Sequence, residues 1–218
     1  MDKIGVVHGR FQVLHLKHVE YILAAKMRCQ KLYIGITNPD MLHAKSSVHD
    51  MNRGTNAGNP LSYRERCELI RLALAEFRVP ESQYEIIPFP ISYPEYITQY
   101  APEDAVYYMG LYDAWDEEKY KTLCSLGLKV HVLWRKDIES KGTTGAMIRH
   151  LIATDQDWAK YVPKSVYAYM KEQGLDKKVK RLELMRIEEK MVIEGKKTEE
   201  ILQPEENTNE AVPVLERI

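Results

Sequence analysis

A chain of 218 residues, 44% apolar and 29% charged, is long enough for one α/β domain with an appendage. Its net charge of −1 gives no reason to expect nucleic acid or an anionic membrane as partner. No apolar run approaches the roughly 18 residues that span a bilayer, and no signal-like leader precedes the first strand. Cys29, Cys67 and Cys124 are odd in number, widely spaced and without CxxC pairing, so reduced thiols and a cytoplasmic location are expected.

In chain order, Ile4, Val6 and Val7 predict a buried strand, Gly9 a tight turn, and residues 16 to about 28 a helix. His15 and His18 stand three apart and share a face of that helix. A strand feeding a helix N-terminus collects unpaired N–H groups and the positive dipole end, which makes it an anion site. Lys31–Thr37 is the second strand, closed by Asn38-Pro39-Asp40. Residues 39–61 lack periodicity and are expected to be a substrate lid or a loose loop; His43 and His49 there have no ligand-like neighbours. Ser62 and Glu65 predict a capping box, followed by a helix with Cys67, Ile70, Leu74 and Phe77 at core spacing.

Further strands are expected at Tyr84–Pro88, Ala105–Met109 and Leu128–Leu133, with helices at 95–100 and 116–126. Strands alternating with helices imply a Rossmann-like, doubly wound parallel sheet whose ligands lie beyond the strands' carboxyl ends. Residues 141–149 form a second small-residue turn opening into a helix, capped by Thr143 or Thr144. Pro163 begins another helix to residue 173. The expected division is a domain at 1–174 and a charged helical extension with a disordered end at 175–218. Leu184, Ile187 and Met191 share one face of that extension, which leaves room for a homo-oligomeric contact.

Taken together, Gly-Arg-Phe-Gln, His15-x-x-His18 and the late Thr-Gly turn with Ile148-Arg149 resemble the HxGH nucleotidyltransferase superfamily. Asn59-Pro60-Leu61 with Arg64-Glu65-Arg66, and Asp157-Trp158 with Val162-Pro163-Lys164, are similar to segments of archaeal-type nicotinamide-nucleotide adenylyltransferases. The resemblance covers residues 3 to about 172. It implies AMP transfer from ATP to a small phosphorylated acceptor, nicotinamide mononucleotide first, with Mg²⁺ on the ATP phosphates and no clear carboxylate cage for it. It further implies that Gly9, Arg10 and Phe11 offer backbone groups to the nucleotide. His15 and His18 would donate to its phosphates, Thr143, Thr144 and Gly145 to the leaving pyrophosphate, and Arg149 would clamp it. Asn38, Tyr96 and Trp115 are the expected acceptor contacts.

Three positions depart from the pattern. Lys17 stands where the family has glycine, so it must point away or add charge near the phosphates. Ala146 removes one hydroxyl of the late motif, and Tyr96 stands in for a stacking tryptophan. Two alternatives stay open. One is a cytidylyltransferase using CTP, against which the late turn lacks an Arg-Thr-x-Gly-Ile-Ser-Thr-type run. The other is a nucleotide-binding sensor without turnover. Alongside these stand plainer roles: Arg64 and Arg66 as first-turn helix charges, Thr143 and Thr144 as caps only, and Trp115 and Trp134 as packing residues.

Overall fold

Short β-branched segments alternating with helical spacing produce the expected alternation in the computed structural model, which describes residues 1–40 and 54–202. The elements are β1 (Asp2–Gly9), α1 (Leu16–Lys26), β2 (Cys29–Thr37), α2 (Tyr63–Glu76), β3 (Tyr84–Phe89) and β4 (Val106–Leu111). They continue with α3 (Ala114–Ser125), β5 (Lys129–Arg135), α4 (Gly145–Ala153), α5 (Lys164–Glu172) and α6 (Leu175–Leu202). A 3-10 helix, Pro94–Gln99, takes the place of the helix expected at 95–100. Most of the predicted lid, with His43 and His49, lies outside the described residues, as does the end of the tail.

The five strands run parallel in the order β3-β2-β1-β4-β5. Successive residues of a strand point to opposite faces, and β1 shows it in Val6 and Val7. Val7 packs with Ile22 of α1, Ile70 of α2, Ile148 of α4, Met170 of α5 and Val179 of α6. Val6 packs on the other face with Phe89, Ile97, Tyr107 and Leu123 of α3. Helices therefore cover both faces, which is the doubly wound arrangement.

The order reverses at β1, and here the sheet opens. β1 pairs with β2 along its whole length, from Asp2–Cys29 to Gly9–Ile36. With β4 it pairs only at Gly5–Val106 and Val6–Tyr107, so the carboxyl ends of β1 and β4 part. Such a switch point is where open α/β sheets hold their ligands. The carbonyl of Tyr108, past the last β1–β4 pair, accepts a hydrogen bond from the Tyr21 hydroxyl at 2.6 Å.

Two buried polar side chains fix the rim of this opening. Arg66, fully buried in the first turn of α2, donates to the carbonyls of Arg10, Thr37 and Asn38 at 3.0, 2.8 and 2.7 Å. It ties the end of β2 to the turn after β1, a larger role than that of a first-turn helix charge. Gln12 brackets the Leu61 backbone, donating from Nε2 to its carbonyl at 2.8 Å and accepting its N–H at 2.9 Å. The capping box forms as expected, with the Glu65 amide on Ser62 Oγ and the Ser62 amide on Glu65 Oε2. Phe77, expected in the core, is exposed because α2 stops one residue before it.

Helix α6 begins at Leu175, after Gly174, and its inward face differs from the predicted one. Leu175 and Val179 enter the core, and Glu183 is buried against α4, while Leu184 and Met191 face solvent. Glu183 accepts from Arg186 at 2.5 Å, and Arg149 Nε lies 3.7 Å from its second oxygen. The stripe at 175, 179 and 183 has the four-residue spacing of a helix face, but a glutamate hides it in the sequence.

Candidate active site

A cleft of about 640 Å³ fills the opening above the parted strand ends. One wall is the turn after β1. Phe11 holds positive φ (54°), and its buried ring lies against Gly9, where a Cβ would meet it at 2.9 Å. Glycine is needed there for space rather than for an unusual dihedral. The same ring meets His18 edge-on at 5.0 Å.

His15 caps α1, and its ring stacks on that of His18 with centroids 3.7 Å apart. The His15 amide donates to His18 Nδ1 at 3.4 Å. A neutral His18 that accepts at Nδ1 carries its proton on Nε2, as a phosphate donor requires.

The opposite wall is the N-terminus of α4. Thr144 caps it, accepting from the Met147 amide at 3.1 Å. Gly145 lies so close to the first turn that a Cβ would stand 2.3 Å from the Gln12 carbonyl oxygen. The N-termini of α1 and α4 thus share one cleft, and their dipoles add where an anion would sit. Lys17 runs between them, its Cε 4.0 Å from where a Gly142 Cβ would be, and its ammonium pairs with Glu20 at 2.7 Å. It therefore lines the cleft with its charge paired to a neighbour on the same helix.

Gly9, Arg10, Phe11, His15, His18, Trp115, Thr143, Thr144 and Gly145 all line the cleft. Three expected residues do not. Arg149 is buried, donates from Nη1 to the Gln12 carbonyl, and faces Glu183, because its position in the second turn of α4 points it at α6. Asn38 is buried with positive φ (49°) one residue beyond the end of β2, and its neighbour Thr37 lines the cleft instead. Tyr96 lies on the outer side of the 3-10 helix, 47% exposed; Ile91 is the cleft residue from that region.

The structure adds residues that sequence reasoning missed. Tyr21 lies three residues beyond His18 on the same helix face and lines the cleft; burial pushes its hydroxyl well above the ordinary tyrosine range. His8, Asp116 and Lys119 line the far side. Burial, with a smaller contribution from the Lys119 ammonium, pushes the His8 imidazole down to about 3.

That shift has a sign. The unfolded chain takes up a proton near the ordinary value of 6.5 and the folded chain only near 3, so stability is lost as pH falls through that window. Between pH 7 and 5 the His8 contribution should fall by about 2 kcal/mol. Urea melts of wild type and His8→Phe at both pH values check this: the variant should lose less stability than wild type on acidification.

Two helix N-termini facing each other across the parted ends of a parallel sheet, one carrying paired histidines, define a nucleotidyltransferase of the HxGH type. The model of the cytidylyltransferase-like family matches residues 6–203, and this chain belongs to that family. It is 41% identical over 176 residues to phosphonoformate cytidylyltransferase from Streptomyces viridochromogenes, covering 81% of this chain and 95% of that protein. It is 27% identical over 176 residues to nicotinamide-nucleotide adenylyltransferase from Thermococcus sibiricus, covering 77% and 83%. A solved bifunctional NMN adenylyltransferase/ADP ribose pyrophosphatase from Francisella tularensis shares the fold, with TM-score 0.62 at 15% identity. That match covers 88% of this chain and 56% of the bifunctional one. Among the described residues no helix is long and apolar enough to cross a membrane.

Proposed function

We propose that this chain transfers the cytidylyl group of CTP to a phosphonate or phosphate oxygen of a small acidic acceptor. The acceptor oxygen attacks the α-phosphorus in line. A new P–O bond forms as the bond from that phosphorus to the bridging β-phosphate oxygen breaks, and pyrophosphate leaves with its electrons. No covalent enzyme intermediate is required, so alignment and charge neutralisation are the protein's contribution. In this scheme His15 and His18 donate to the phosphates, and the N-terminus of α4 at Thr143, Thr144 and Gly145 holds the departing pyrophosphate. Lys17 adds positive charge between them, and Arg149 braces the Gln12 carbonyl behind the site.

The observation that carries the choice of acceptor is the position of Tyr96. The aromatic side chain expected to stack on a nicotinamide stands outside the cleft, and a cation, Lys119, is among the residues that line it. The 41% identity with a cytidylyltransferase along 95% of its length supports the same reading. Against that, the missing Arg-Thr-x-Gly-Ile-Ser-Thr-type run no longer weighs heavily. AMP transfer to nicotinamide mononucleotide is the second reading, favoured by the 27% identity to the Thermococcus enzyme.

Mg²⁺ is expected to accompany the triphosphate. Such an ion would be carried by phosphate oxygens and water; among the described residues no group of three or more His, Cys, Asp or Glu side chains is placed to hold a metal. When bound, it would neutralise charge on the phosphates.

Pyrophosphate release separates the readings. CTP with phosphonoformate should give turnover, and ATP with nicotinamide mononucleotide should give little. The reverse pattern would establish the second reading, and tight nucleotide binding without turnover on any acceptor would favour the sensor. His18→Ala should lower kcat at least about tenfold, equivalent to about 1.4 kcal/mol of barrier. Unchanged turnover in that variant would remove His18 from the site.

A further inference from the structure

The cleft has a second polar end that phosphate binding at α1 and α4 leaves unused. His8, the residue before Gly9 on β1, is 8% exposed and stacks face to face on Phe89, with centroids 4.6 Å apart and planes 7° apart. Its Nδ1 is buried and has no hydrogen-bond partner among the described residues, although the side chain lines the cleft. Buried polar atoms in native proteins are nearly always paired, and one left over beside a cleft points to a ligand. Lys119 lines the same cleft with a side chain only 17% exposed. Its ammonium donates to Asp116 Oδ1 at 2.6 Å, and Asp116 Oδ2 accepts the Tyr112 amide at 3.1 Å. The lysine is therefore held in place, and the carboxylate that holds it is itself engaged.

The two residues lie away from the triphosphate wall. Phe89, on which His8 stacks, belongs to the core cluster beneath α3, whereas α1 and α4 pack on the opposite face of the sheet. The N-terminus of α3 lines the same cleft, its dipole already answered by the Asp113 cap and by Asp116 in its first turn.

We propose that His8 and Lys119 bind a second anionic group of the acceptor, so that the preferred acceptors are short phosphonates or phosphates that also carry a carboxylate. Lys119 supplies the countercharge, and the imidazole donates one hydrogen bond to a carboxylate oxygen. Burial keeps the His8 ring neutral at physiological pH, so it offers one N–H donor and no charge. This inference rests on the cytidylyl-transfer function.

The test compares phosphonoformate with methylphosphonate, which lacks the carboxylate, at saturating CTP. Wild type should prefer phosphonoformate by at least about tenfold in kcat/KM. In Lys119→Met the KM for phosphonoformate should rise about tenfold or more, several times the rise in the KM for CTP, and the preference should collapse. Lys119→Arg should recover most of the affinity, because it keeps the charge. His8→Phe, which preserves the stacking surface, should also raise the phosphonoformate KM. Equal losses on both acceptors, or a wild type without preference, would overturn the proposal. If wild type turns over no acceptor, the cytidylyl-transfer function fails. Calorimetric binding of phosphonoformate to wild type and Lys119→Arg in the presence of CTP then decides the pocket: no binding to either overturns it. Wild type and the charge-conserving variant suffice for these comparisons, so the proposal can be refuted even where Lys119→Met does not fold.

Discussion

Arg66→Met is expected to lower folding stability by at least about 3 kcal/mol and the melting temperature by roughly 6–12 °C. The guanidinium is fully buried and donates to the carbonyls of Arg10, Thr37 and Asn38, with longer bonds to those of Pro39 at 3.4 Å and of Ser62 in its own helix turn at 3.3 Å. Burial pushes it down from 12.5 only to about 10, so it remains charged at neutral pH. Methionine fills most of the volume but leaves those carbonyls buried without a donor, and the cost per unsatisfied group is about 1–3 kcal/mol. Activity should fall as well, because the lost bonds anchor the turn that carries Phe11 to the end of β2. Denaturant melts measure the effect. A loss under about 1 kcal/mol would mean that water or other donors replace the guanidinium.

Gly145→Ala should cut kcat/KM by about a hundredfold. Its new Cβ would stand 2.3 Å from the Gln12 carbonyl oxygen and 2.9 Å from its carbon, so main chain meets side chain with little room to yield. The relief is a shift of α4 away from the turn after β1, on the order of an ångström, and a misplacement of that size can cost about a hundredfold in rate. The same shift weakens the Arg149 bond to Gln12, so a smaller stability loss should accompany it. Steady-state kinetics well below the melting transition check this. Undiminished kcat/KM would show that the close approach of the two turns is not needed for turnover.

Much of this architecture is written locally in the sequence. Val6 and Val7, the Ser62–Glu65 box and Thr144 each act through near neighbours, so strand, cap and helix start were all legible. Both anion turns could be found because glycines and histidines at close spacing announce them. What escaped depends on contacts between distant segments. Nothing around Arg66 reveals that it meets the ends of two chain segments. Arg149 lies one turn inside its helix, and only the docking of Glu183 from α6 shows which way its side chain turns. Tyr96 sits on the exposed side of a 3-10 helix and Asn38 turns with positive φ just beyond β2, and neither orientation has a local sequence signal. His8 and Lys119 lie far apart in the chain and line one cleft only in the folded chain, so neither had a sequence signal of its own.

The central claim concerns base and acceptor together, and one competition experiment addresses both. Equal concentrations of CTP and ATP are offered with phosphonoformate and nicotinamide mononucleotide in a single reaction, and the products are resolved by phosphorus NMR and mass spectrometry. The cleft described above predicts a cytidylyl ester of phosphonoformate with a new P–O–P linkage and one pyrophosphate per turnover. A dinucleotide of AMP and nicotinamide mononucleotide as the main product would contradict it.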